Sequence, residues 1–207
     1  MGDAVPHVLI VGAGDTGLTL ATMLSSVGLR VSTLNRSGRS IDAATALVGD
    51  LADSTSLTGL PSADVVVFTT APPSRDDEGY RTAYLNGPQR LLDALPTEPT
   101  RAVLTSTTGV FSAGDGRWVT ATTPPDPSRS TAEIVVEGEA ALAHRIPSTV
   151  VRSAGIYGPG RRRLIDQVLT GAVGVTPGMP ARWTNRVHRD DLAAALALCV
   201  VHPNPPP

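Results

Sequence analysis

Short apolar runs rich in Val, Ile and Leu alternate along the 207 residues with longer segments in which apolar positions recur at helical spacing. A strand that is apolar on both faces must be covered on both, so the alternation predicts a parallel sheet held between two layers of helices. The predicted strands are 7–11, 30–34, 46–48, 64–70, 101–106 and 149–152; the predicted helices are 16–27, 80–95, 130–144, 164–169 and 191–201. Over 111–128 the chain becomes polar and Pro-rich, too irregular for a core element and too long for a tight turn, and is expected to form a surface loop over the active site. The PNPPP ending reads as an extended tail. The length suits one domain, 1–207, with a core over 1–152 and a short lobe and tail over 153–207.

The first strand runs directly into Gly12-x-Gly14-x-x-Gly17 and from there into a helix. Gly12 permits the tight turn, Gly14 removes a side chain where a pyrophosphate would approach the backbone, and Gly17 lets the helix pack closely on the strand. The free N–H groups at the helix start then face the phosphates. Asp15 and Thr16 belong to the same turn, where the Asp15 carboxylate either caps the helix or stands aside. The expected fold is therefore the Rossmann form of the α/β class, a doubly wound parallel sheet carrying a dinucleotide, with a short C-terminal substrate lobe.

In such sheets the ligand lies across the carboxyl ends of the strands, which nominates the residues just beyond them. After the second strand come Asn35, Arg36 and Arg39. An acidic residue here would accept from both ribose hydroxyls and repel a 2′-phosphate. Asn35 removes that repulsion and the two arginines supply guanidinium groups, so NADP(H) is expected over NAD(H). The plainer reading of the two arginines is as exposed loop charges. Asp50 and Leu51, after the third strand, stand where adenine would lie, with capping as the other reading of Asp50. Thr70, Ala71 and Pro72, after the fourth, fall on the ribose and nicotinamide side.

Composition narrows the partners. A net charge of −2 and a pI near 6.1 give no basic field for nucleic acid or an anionic membrane surface. No apolar stretch approaches the roughly 20 residues that span a bilayer, and the N-terminus lacks a leader-like pattern, so a cytoplasmic protein acting on a small molecule is expected. Cys199 has no second cysteine to pair with and is expected to be a buried structural thiol. The four histidines are scattered, and no metal site is expected. All 17 Lys+Arg residues are arginine, a bias typical of GC-rich bacterial genomes.

Five stretches together resemble one family: VGAGDTG at 11–17, TAPP at 70–73, STTGVF at 106–111, RSAGIYGPGR at 152–161 and NRVHRDDLA at 185–193. They are similar to the atypical and extended short-chain dehydrogenases, the NAD-dependent epimerase/dehydratase group, and within it to small bacterial members lacking the usual tyrosine. The last two stretches are the specific ones. The resemblance implies that Thr107, with Thr108 beside it, orients a substrate oxygen. It also implies a general-acid tyrosine and a lysine four residues apart on the helix that carries Glu139. Counting back from Glu139, those positions hold Thr131 and Val135, neither of which can do that chemistry, and the chain contains no lysine. Tyr80, Tyr84 and Tyr157 lie outside that helix. Asp191 is expected to cap the last helix and tie the loop at His188 to the core, and Arg161, Arg162 and Arg163 either receive an anionic substrate or form a solvated helix start. In the family a further stretch after that helix completes the substrate lobe; here the lobe is expected to be short, and a homodimer would cover apolar surface left open.

Two functions remain open at this level. One is an NADP(H)-dependent oxidoreductase, epimerase or dehydratase of unusual mechanism. The other is a non-redox protein on the same fold, either a dinucleotide sensor or scaffold or a cofactor-independent cyclase or isomerase.

Overall fold

The structure is a computed structural model and describes residues 5–112, 116–172 and 184–205. At its centre six parallel strands lie in the order β3-β2-β1-β4-β5-β6: β1 His7–Val11, β2 Arg30–Asn35, β3 Thr45–Val48, β4 Val65–Phe68, β5 Arg101–Thr107 and β6 Ser148–Ser153. The chain begins in the middle of the sheet, winds to one edge, then returns to β4 and winds to the other. This reversal opens a crevice at the carboxyl ends of β1 and β4, where Val11 pairs with both Leu34 and Phe68.

Strand alternation divides the core in two. Leu9, Val11, Leu34, Val66, Phe68 and Leu104 face a layer containing α3 (Asn86–Ala94) and α4 (Ser130–Arg145). Val8, Ile10, Val31, Val67 and Val103 face α1 (Asp15–Ser26) and α6 (Arg189–Val201), where Leu20, Leu24, Leu192 and Leu196 are fully or almost fully buried. The thiol of Cys199 packs against this second cluster, and burial pushes its pKa up.

The six predicted strands all form, with ends shifted by a residue or two. Thr69 and Thr70 leave the ladder after Phe68 because they turn into the crevice wall. The helix predicted over 80–95 is broken into α2 (Asp77–Tyr80), a π turn over Arg81–Leu85, and α3. Asp76 starts it by accepting from the Gly79 N–H at 2.9 Å. Pro88 has no N–H to offer the Tyr84 carbonyl, and that carbonyl instead approaches Gly138 on α4, where a Cβ would stand 2.2 Å away. A second, two-stranded parallel sheet joins β7 (Gly155–Tyr157) to β8 (Arg186–His188), with α5 (Arg163–Leu169) between them in sequence. Strands of three residues carry too little periodicity to be predicted.

One buried titratable group ties the start of the sheet together. His7 is 2 % exposed; its Nδ1–H donates to the Ser62 carbonyl at 2.6 Å and its Nε2 is hydrogen-bonded with the Ser32 hydroxyl at 2.8 Å. A carbonyl can only accept, so this contact places a proton on Nδ1, while the Ser32 hydroxyl can serve Nε2 as donor or acceptor. Burial depresses the imidazole pKa, with Arg30 adding to the effect while the Ser62 carbonyl and Asp64 oppose it. The unfolded chain therefore binds this proton more readily, and the stability held above pH 6.5, the unperturbed value, is lost as pH falls from there towards the folded pKa. Melting temperatures recorded between about pH 5 and 7.5 should fall more steeply on the acid side for the wild type than for His7→Asn. Parallel curves would contradict the assignment.

Candidate cofactor cleft and active site

The crevice is a cleft of about 430 Å³ floored by Gly12, Ala13 and Gly14. The three glycines are separated by what a side chain would meet. Gly12 has φ of +101°, and its Cβ would stand 2.8 Å from the Thr70 nitrogen. At Gly17 a Cβ would lie 2.2 Å from the Gly12 carbonyl oxygen. At Gly14 nothing stands within 4 Å. Two of the glycines are thus required by the protein's own packing, whereas the space above Gly14 is open to the cleft, as a backbone cradle for a pyrophosphate needs. The loop is braced by Thr69, whose N–H donates to Val11 at 2.8 Å and whose hydroxyl donates to the Gly12 carbonyl at 2.7 Å.

Of the residues nominated from sequence, Gly12, Gly14, Asn35, Arg36, Arg39, Asp50, Leu51, Thr70 and Ala71 line this cleft together. Asp15, Thr16, Gly17 and Pro72 do not. Gly17 packs behind the loop, the Thr16 hydroxyl is buried without a hydrogen-bond partner among the described residues, and Pro73 takes the wall position instead of Pro72. Asp15 makes no capping bond at the start of α1; its carboxylate turns to Arg161, with Nε 3.8 Å from Oδ2. Thr69, Thr82 and Arg161 line the cleft without having been nominated for it. Thr69 had a signal, the doubled Thr at the end of an apolar strand, but Thr82 and Arg161 come from distant segments that only the fold brings in.

The loop after β2 is organised by one side chain. Asn35 Oδ1 accepts from the N–H groups of Ser37 and Arg39 at 3.1 and 2.9 Å, and its Nδ2 donates to the Arg39 carbonyl at 2.7 Å. This arrangement presents Arg36 and Arg39 at the cleft, both exposed, and among the described residues neither guanidinium has a partner. Asp50 accepts from the Ala52 N–H at 2.9 Å, turning the chain after β3.

Thr107 and Thr108 stand at the carboxyl end of β5. The Thr107 hydroxyl accepts from the Gly109 N–H at 3.0 Å, which leaves its hydrogen to donate. Thr108 lines an adjoining cavity of about 490 Å³ with Phe111, Arg117, Trp118 and Asn185; Thr107 does not line it. On α4 the two positions expected for the acid/base pair differ in fate: Thr131 is half-buried at the helix start, and Val135 is wholly buried in the core. A guanidinium reaches the region instead. The point a Gly109 Cβ would occupy is 3.2 Å from Thr107 Oγ1 and 4.0 Å from Arg129 Nη2. Tyr84 is no substitute acid, since burial, with Tyr80 and Glu139 adding to it, pushes its phenol up to about 12.

Beneath the two threonines the Ser106 hydroxyl donates to Glu139, which also receives Arg152 Nη2 at 2.7 Å. Arg152 in turn lies 5.5 Å over the Phe111 ring. At the other side of the site α6 is capped by His188, whose Nδ1 accepts from the Asp190 N–H at 3.3 Å, and not by Asp191, which is exposed. The His188 ring packs edge-on against Tyr157 at 5.2 Å. Among the described residues no group of three or more His, Cys, Asp or Glu could hold a metal ion, and no helix is long and apolar enough to cross a membrane.

No protein-family model and no curated protein matches the sequence. Solved structures do. A Methylobacillus flagellatus protein named as an NAD-dependent epimerase/dehydratase is 32 % identical, with a TM-score of 0.79 over 98 % of this chain and 74 % of that one. The UDP-glucuronic acid 4-epimerase of Bacillus cereus, in complex with UDP-glucuronic acid and NAD, is 20 % identical with a TM-score of 0.72, over 96 % of this chain and 74 % of its own. A short-chain dehydrogenase/reductase superfamily protein from Agrobacterium tumefaciens with bound NAD is 19 % identical with a TM-score of 0.71, over 95 % and 74 %. The last two share the fold.

Proposed function

Because this chain belongs to the NAD-dependent epimerase/dehydratase family of short-chain dehydrogenases, we propose that it binds NADP(H) and acts as an oxidoreductase, epimerase or dehydratase on a small molecule carrying a hydroxyl or carbonyl group. The observation that carries the reading is the cleft itself, with open space above Gly14 and, beyond β2, two guanidinium groups that have no partner among the described residues. Gly12 to Gly14 and the start of α1 would hold the pyrophosphate; Arg36 and Arg39 would hold a 2′-phosphate, which NAD lacks. The distant neighbours with NAD leave this preference to rest on the loop alone. Bound there, a nicotinamide supplies hydride-transfer chemistry.

The chain's own residues then have limited but definite work. Thr107 donates to the substrate oxygen, and Arg129 meets negative charge that develops on it, a role that fixed donors perform well. With no lysine and a buried valine at the expected position, the proton is carried by water or by a group on the substrate, and positioning supplies much of the rate. Replacing both Arg36 and Arg39 by Ala should weaken NADPH binding about 10- to 100-fold, the worth of a charged hydrogen bond or two, while NADH affinity changes little. Equal losses for the two nucleotides, measured by calorimetry, would count against a 2′-phosphate site. Val135 in the core also favours a second reading, a non-redox sensor or cofactor-independent catalyst. A cofactor-independent catalyst would keep its turnover in Gly14→Asp, provided that the variant folds.

A further inference from the structure

Arg161 reaches the cleft from outside the sheet that forms it. It ends the Gly158-Pro159-Gly160-Arg161 segment between β7 and α5, and this segment crosses the first turn of α1 as a strap. Its shape is fixed from three sides. The Arg161 N–H donates to the Gly158 carbonyl at 2.9 Å, and Arg189 Nη1 on α6 donates to the Pro159 carbonyl at 3.2 Å. Gly158 and Gly160 have φ of +131° and +79°, and a Cβ on them would stand 2.8 Å from His188 Nε2 and 3.0 Å from Asp15 Oδ2. Glycine is therefore needed at both positions for the strap to lie this close.

Asp15 presents an electrostatic problem for the proposed ligand. Its carboxylate stands one residue after Gly14, a third exposed, where it suits the helix N-terminus but repels a diphosphate arriving at the same N–H groups. The guanidinium of Arg161 is within 3.8 Å of that carboxylate, and Arg161, unlike Asp15, lines the cleft. The other two arginines of the triplet are placed differently: Arg162 pairs with Asp166 at 3.6 Å, and Arg163 opens α5 exposed.

We propose that Arg161 is a cofactor-binding residue that screens Asp15 and offers its remaining donors to the pyrophosphate, so that the strap couples the β7–β8 layer to the dinucleotide. This assigns Arg161 to the cofactor and not to the substrate, and it rests on the dinucleotide reading above. A guanidinium has five N–H donors, and a contact of 3.8 Å engages none of them closely.

The test is a double-mutant cycle read by calorimetric titration with NADPH, with thermal melting of every variant. Arg161→Gln should weaken binding about 10- to 100-fold, because the ligand loses a cation and meets an unscreened carboxylate. Asp15→Asn should bind as well as the wild type or better. The Asp15→Asn/Arg161→Gln double variant should recover much of the loss, and Arg161→Lys should keep most of the affinity. Wild-type affinity in Arg161→Gln, or a double variant as weak as Arg161→Gln, would overturn the screening role while leaving the dinucleotide site standing. A wild type that binds neither NADPH nor NADH would remove the site and this inference with it.

Discussion

Glu139→Ala should cost about 3–5 kcal/mol of stability, the usual consequence of removing one member of a buried ion pair. Glu139 is 5 % exposed and accepts from three donor groups of two residues: the Ser106 hydroxyl, Arg152 Nη2 at 2.7 Å and Arg152 Nε at 3.2 Å. The substitution leaves a guanidinium, itself only a quarter exposed, beside a void in a polar pocket. It also unties β5 from α4 and β6 directly below Thr107, so the candidate catalytic strand end loosens as the fold weakens. For a chain of this size the melting temperature should fall by roughly 6–20 °C. Glu139→Gln keeps an acceptor for Ser106 and leaves only the charge of Arg152 unmatched, so it should fall between the two. Unchanged unfolding midpoints for both variants would contradict the account of this network.

The second large effect separates two glycines that look alike in sequence. Gly17→Ala places a methyl group 2.2 Å from the Gly12 carbonyl oxygen and 2.9 Å from Thr69 Oγ1, crowding both ends of the 2.7 Å bond between them. Both neighbours are fixed, one as backbone and the other by the Thr69 N–H bond to the Val11 carbonyl, so α1 must move away from β1. Overpacking of this kind costs about 1–3 kcal/mol, and a displaced helix start also distorts the proposed phosphate cradle. Gly14→Ala meets open space and should leave the fold as stable as before. Side-by-side thermal melts decide the matter: equal losses in the two variants would mean that the division of labour between these glycines is wrong.

How much of this was legible without coordinates varied with the kind of signal. Buried parallel strands announce themselves as continuous apolar runs, and all six were placed, since covering a sheet on both faces leaves no other pattern for VLIV or VVVF. The π turn at Arg81–Leu85 was not legible, because it arises where the Tyr84 carbonyl meets Gly138, more than fifty positions along the chain. Within the site, residues at strand ends were readable from the rule that ligands lie there. The approach of Arg129, and the place of Arg161 at this cleft as opposed to a substrate anion site, were not, since each depends on how a loop from another layer folds back. For Asp15 the sequence leaves capping and standing aside open, since capping is a local question, whereas its partner, Arg161, is supplied by tertiary structure. The cap of α6 went to His188 over Asp191 because the chain leaves β8 in an extended conformation one turn earlier than the helical pattern indicated.

The central claim is that the cleft above Gly14 holds a dinucleotide. Calorimetric titration of the purified protein with NADPH and NADH, with Gly14→Asp as the folded control, tests it most directly. The account predicts saturable binding, tighter for NADPH, that disappears when a carboxylate occupies the open space above Gly14 while the melting temperature holds. Binding that survives Gly14→Asp, or no binding of either nucleotide to the wild type, would contradict it.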